Sequence, residues 1–186
     1  MTARKLVAVT FLALSMCAFA FAQEKEGEGA PPMGPPDELK SFEHLVGTWT
    51  CDFQMRMTPE SEWTTSPATM VYEKAMDGAC IRGSFSNTVM GMDFKGLATL
   101  SYHREKAKWQ MSWIDNMGAY QNLLEGDFKD GKLTLDGEDV AMGQQNLIRD
   151  ITKLKSDTEI DWEMRFSGDG GKTWWTTMKA SYKKQG

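Results

Sequence analysis

From Gly47 onward, the chain returns again and again to runs with apolar residues at every second position, and no other feature constrains the fold as strongly. Trp49, Cys51, Phe53, Met55 and Met57 alternate with Thr48, Thr50, Asp52, Gln54 and Arg56. Successive side chains of a strand point to opposite faces, so the run predicts a strand with one apolar and one wet face. The pattern then repeats between turn residues. Segments 70–76 and 79–89 flank Asp77-Gly78, a hairpin signal. Phe94, Ala98, Leu100 and Tyr102 share one parity, and Trp109, Met111 and Trp113 mark the next strand. Segment 120–128 turns at Asp130-Gly131 into Leu133 and Leu135. Segments 145–155 and 158–166 pair around Ser156-Asp157, and a last hairpin turns at 168–171 toward Trp174, Met178, Ala180 and Tyr182.

These are about ten short strands with no long helix between them, which predicts an all-β fold. An open meander leaves two bare edges, and closure into an up-and-down antiparallel barrel removes both. The chain has 186 residues, 41% of them apolar, enough for one domain with a core of its own. Its formal net charge of −5 disfavours nucleic acid or an anionic membrane surface as the main partner, because both need a basic footprint.

The first 22 residues read as a secretory signal peptide. Arg4 and Lys5 precede an apolar stretch over 6–22, shorter than the roughly 20 residues of a membrane span. Ala20-Phe21-Ala22 places small residues before Gln23. Cys17 follows Met16 and is itself followed by apolar residues, which argues against a lipid-anchor site. The expected product is therefore exported, periplasmic or extracellular, with no membrane anchor after cleavage. Residues 23–37, QEKEGEGAPPMGPPD, read as a flexible linker, because this composition has nothing to pack. The barrel domain is expected over 38–186. A short helix over 38–45, capped by Asp37 and carrying Leu39, Phe42 and Leu45 on one face, is expected to cover one barrel end.

The segment Leu45-Val46-Gly47-Thr48-Trp49 is a GxW signature before the first strand, and it resembles the opening of calycin barrels, the lipocalin and fatty-acid-binding group. More closely, the run resembles the bacterial family called domain of unknown function 1579. The matching pieces are LVGTW at 45–49, MDGACIRGSF at 76–85, FKGLATLSYHREKAKWQMSWID at 94–115 and LEGDF at 124–128. The Asn146-Leu147-Ile148-Arg149 strand and the closing hairpin extend the likeness over about residues 38–184. The resemblance implies a lipocalin-like barrel and no established activity. Nitrobindin, a related heme barrel, shares the GxW start, but its heme needs a histidine late in the chain, and none follows His103 here. No cofactor is expected.

Candidate chemistry is sparse. Ser167-Gly168-Asp169-Gly170-Gly171-Lys172-Thr173-Trp174 matches the Asp-box pattern, a hairpin device in which the Asp accepts backbone N–H bonds and the Trp packs beneath. Most acids, among them Asp136, Glu138, Asp139, Asp161 and Glu163, are assigned to wet faces or turns. Asp115 shares the parity of Trp113, and Arg149 that of Leu147 and Ile151, so both are expected to point inward. A buried charge needs a partner, so Asp115, Arg149 and the hydroxyls of Tyr102 and Tyr120 are candidates to pair. They form either a polar plug that fixes the barrel or a recognition group beside an apolar pocket. With Trp49, Phe53, Trp113 and Trp162 they make up the candidate ligand-binding set. Met55/Met57 and Met90/Met92 place paired thioethers on one strand face, a geometry that permits Cu(I), but no Met/His cluster is dense enough, and thioethers filling an irregular interior is the favoured reading; no metal is expected. With two histidines, a multi-histidine centre is not available, and no Ser/His/Asp or Cys/His arrangement emerges. Cys51 and Cys80 would be the cysteines left after export, and a disulfide between them is as well supported as two buried thiols.

Three functions are compatible with this reading. The first is a carrier of a small apolar or amphipathic ligand. The others are a filled structural or interaction barrel, and a small-substrate enzyme using Asp115 and a tyrosine.

Overall fold

The structure, a computed structural model, describes residues 33–186 other than 90, 119, 120 and 142. The expected leader with Cys17, most of the expected linker over 23–37, Met90 and Tyr120 lie outside the described residues.

The alternation folds into ten strands. They are β1 (Gly47–Met55), β2 (Thr64–Ala75), β3 (Cys80–Val89), β4 (Met92–His103) and β5 (Lys108–Asp115). The second half adds β6 (Gln121–Lys129), β7 (Lys132–Ala141), β8 (Gln144–Ser156), β9 (Glu159–Ser167) and β10 (Trp175–Lys184). Each pairs antiparallel with its sequence neighbour, and β1 pairs with β10 to close the barrel. The closing registers are Trp49 with Lys184, Thr50 with Lys183, Gln54 with Lys179 and Met55 with Met178. All-β closure is as the alternation requires, and every sheet edge is paired.

β2 begins at Thr64, six residues before the apolar run at Met70 that betrays it. Pro67 explains the missed start. It faces Asp52 of β1, but the ladder to β3 begins only at Ala68, so the missing N–H breaks no bond on that side.

The segment over Asp37–Leu45 is a 3-10 helix rather than the expected α-helix. Leu39, Phe42 and Leu45 recur at intervals of three, the repeat that eclipses side chains on a 3-10 helix, and all three are buried. Asp37 does not cap it; Pro36 occupies that position, and the Asp37 carboxylate pairs with Lys40 at 2.8 Å. Phe42 plugs this end of the barrel, its ring 4.6 Å from Trp109 and 4.8 Å from Phe128. Burying such a ring contributes about 1.5–3 kcal/mol.

Cys51 and Cys80 are both buried and unbonded. Cys51 points inward opposite Ala68, whereas Cys80 starts β3 opposite Ala75 on the parity of outward-facing Arg82. Seven residues of β2 separate those registers, roughly 23 Å at the usual rise, which no disulfide spans.

Candidate functional site

Inward-facing side chains do not fill the barrel. A cavity of about 700 Å³ remains, and it reaches the surface at the end away from the Phe42 plug, beside Met57, Met117 and Gly118. At that end the β1–β2, β3–β4, β5–β6, β7–β8 and β9–β10 connections form a mouth. The walls are mainly aromatic and aliphatic. Phe53 lies 5.4 Å from Phe85 and stacks on Trp162 at 6.1 Å, and Phe94 stacks on Trp113 at 6.4 Å. Two glycines make room for these rings: a Cβ on Gly96 would collide with the Trp113 indole, and one on Gly83 would meet Tyr72 at 2.9 Å.

Of the expected site residues, Phe53, Trp113, Asp115 and Trp162 line the cavity together. Trp49 points inward but lies beneath it, fully buried, and its Nε1 donates to the Leu45 carbonyl at 2.6 Å. Tyr102 packs on Trp109 at 5.3 Å near the plugged end, away from the cavity lining. Asp115 sits at the mouth with both oxygens engaged. Oδ2 accepts the Trp113 indole N–H at 3.0 Å, and Oδ1 accepts the backbone N–H groups of Met117 and Gly118 at 2.9 and 2.7 Å. It therefore fixes the turn after β5 and the angle of Trp113.

Arg149 faces outward, contrary to expectation. It forms a bidentate pair with Asp136 at 2.6 and 3.0 Å and lies 4.3 Å over the Trp174 ring. β8 carries apolar residues on both parities, Leu147 and Ile151 on one and Ile148 on the other, so its inward face could not be read from apolarity alone. The inward set includes Ile148, Asp150 and Thr152.

Asp150 is the buried charge that the sequence reading missed. It is 3% exposed and lines the cavity in the half nearer the plug, where its strand neighbours across the sheet are Leu135 and Met164. Oδ2 accepts the Trp162 indole N–H at 2.6 Å and Oδ1 accepts the Thr152 hydroxyl at 3.3 Å. Desolvation outweighs these bonds and pushes its pKa up to about 6. Tyr72 and Tyr182 line the same region, and burial raises both phenols above their ordinary value. The Tyr182 hydroxyl donates to the Cys51 sulfur, and burial pushes that thiol up to about 11.

Asp139 was assigned to a wet face, yet it is 8% exposed and lines the cavity nearer the mouth. Its Oδ1, and Oγ1 of Thr177 at 2% exposure, have no hydrogen-bond partner among the described residues. Arg56 is the sole cation in the described lining. It is occupied at the rim, donating to the carbonyls of Thr176 and Pro59 at 2.8 and 2.7 Å with Trp63 and Trp175 stacked on its guanidinium. Neither His44 nor His103 belongs to the lining, so the histidine ligation that the related heme barrel uses has no counterpart in the described lining. The Asp box behaves as a hairpin device. Asp169 accepts the N–H groups of Lys172 and Thr173 and the hydroxyls of Ser167 and Thr173, which hold its carboxyl well below the usual range.

A family model described as protein of unknown function (DUF1579) matches residues 34–184. The chain belongs to that family. Among solved structures this DUF1579 barrel is similar to Rv2717c from M. tuberculosis. Identity is 9% and the TM-score 0.56, over 82% of this chain and 100% of that one. It is also similar to the S-type phycobiliprotein lyase CPES from Guillardia theta, at 11% identity and a TM-score of 0.51, over 79% of this chain and 92% of that one. Likeness at such identities speaks for a shared calycin-like barrel and not for a shared activity. No curated protein matches the sequence.

Proposed function

We propose that this DUF1579 protein is an exported carrier that holds a small amphipathic ligand in its barrel. The observation that carries the reading is the cavity of about 700 Å³, within the range of small-molecule sites, with aromatic walls and a few convergent polar groups. A barrel built only as a scaffold would gain stability by filling that space, because voids forfeit packing. Among the described residues no helix is long and apolar enough to cross a membrane.

Two results are expected. Nile red, an uncharged dye, binds the purified protein saturably at one site with blue-shifted emission. Met164→Trp and Met111→Trp, which add bulk inside the cavity, each weaken that binding about tenfold or more while the barrel stays folded. Dye binding that is unsaturable, or unchanged in both folded variants, would rule the carrier out. For export, the expected outcome is that protein recovered from its host has Gln23 as first residue in its intact mass. An unprocessed chain would overturn that part.

A further inference from the structure

The carrier reading leaves the chemistry of the ligand open, and the charge inside the cavity narrows it. Three carboxylates line the space, Asp115, Asp139 and Asp150. The one cation in the described lining, Arg56, is held at the rim by two carbonyls and two indoles. None of the ion pairs among the described residues involves any of the three acids. Asp115 is spent on its turn, but Asp150 lies deep between aromatic rings with one hydrogen bond to each oxygen. A carboxylate oxygen has two lone pairs, so Asp150 keeps acceptor capacity after Trp162 and Thr152 are served. Asp139 Oδ1 and Thr177 Oγ1, both more than nine-tenths buried, add unpartnered polar atoms to the same cavity. The walls between these groups are apolar or aromatic, and Tyr72, Trp162 and Tyr182 offer ring faces as well as polar edges. A cation is favoured both by a buried carboxylate and by surrounding aromatic faces. An anionic head would meet three carboxylates and no free base in the described lining.

Resting on the carrier reading, we infer that the ligand is a lipophilic ammonium compound. Its apolar body lies along Phe53, Phe85 and Trp113, and its protonated amine pairs with Asp150 at the inner end of the cavity. Binding then supplies the missing counter-charge, and the amine's N–H groups take up the acceptor capacity that the protein leaves unused. The titratable groups facing Asp150 are Tyr72 and Tyr182, and both in turn neighbour Cys51. Burial raises all three, so between pH 5 and 7.5 Asp150 is the member of this group that changes charge.

The test displaces bound Nile red with decylamine, 1-decanol and decanoate, three probes with one chain and different heads. At pH 7.5 decylamine is expected to bind about tenfold or more tightly than decanol, with decanoate weakest. Asp150→Asn keeps the side-chain shape, and in it the amine-to-alcohol ratio falls to about one. The wild-type protein gives a second measurement that needs no variant. Decylamine stays protonated throughout, so its advantage over decanol should grow about tenfold from pH 5 to pH 7.5 as Asp150 ionises. Dye binding with no preference for the amine, a preference that survives in Asp150→Asn, or a preference independent of pH would overturn this inference and leave the carrier reading standing. Failure of Nile red itself to bind would overturn both.

Discussion

Asp150→Asn is expected to stabilise the empty barrel at pH 7.5 by about 2–3 kcal/mol, and to lose that advantage on acidification. The carboxyl is 3% exposed and its pKa rises from 3.8 to about 6 on folding, so the native state holds a proton that the unfolded chain releases. Stability from this group is therefore fully present below pH 3.8 and is lost as pH rises through about 6. The asparagine amide retains both local bonds. Its oxygen accepts from Trp162, and its NH₂ donates to the Thr152 hydroxyl. Urea unfolding of both proteins at pH 4.5 and 7.5 measures the effect, and the quantity to read is the difference between them. Surface acids held low by lysines, such as Glu43 beside Lys74 and Glu125 beside Lys106, pull total stability the opposite way in both proteins and cancel. A variant less stable than wild type at pH 7.5, or a difference that does not change with pH, would show that Asp150 is not a desolvated acid.

Trp49→Ala should cost about 3–5 kcal/mol, the usual toll for truncating a fully buried large ring. Its indole is a latch as well as core. Nε1 holds the carbonyl of Leu45, the last residue of the 3-10 segment, and so ties the Phe42 plug to β1. Lys184 secures the same corner from β10, donating to the His44 carbonyl at 2.6 Å with its ammonium 5.6 Å over the Trp49 ring. Losing the indole loosens the plug beyond the lost burial, so tryptic cleavage after Lys40 should accelerate alongside the drop in urea midpoint. Trp49→Phe, which keeps a ring but no N–H, should fall between the two proteins. A loss under about 1 kcal/mol, or unchanged cleavage at Lys40, would remove the latch from the account.

How far the sequence discloses this molecule depends on how cleanly polarity alternates. β1 and β9 alternate strictly, so strand, face and the inward positions of Phe53 and Trp162 follow directly. The hairpin at Asp77-Gly78 and the Asp box are equally legible, because Asp77, Gly78, Gly170 and Gly171 take the left-handed backbone that Asx and glycine favour; Met76, left-handed as well, carries no such signal. In β8 the signal fails. Arginine and aspartate stand side by side between isoleucines, and the parity that looked inward is the one that pairs with Asp136 in solvent. β7 inverts the usual rule outright: Val140 is exposed and its neighbour Asp139 is buried. The inward position here is polar because Asp139 lines the cavity, while Val140 on the opposite parity faces solvent. The 3-10 segment carried its own signature, the strict three-residue spacing of Leu39, Phe42 and Leu45. The Cys51–Cys80 question is settled by register, which spacing along the chain does not encode.

Every ladder of this sheet but one joins strands adjacent in sequence, and the exception is the seam between β1 and β10. Nine hairpins can each zip with little loss of chain entropy, while the seam must bring together segments from opposite ends of the domain. The Trp49 corner sits on that joint, reinforced where the Gln185 N–H reaches the Thr48 carbonyl at 2.8 Å. The slow event in assembly is thus expected to be the last one, the locking of a cylinder from an already curled ribbon.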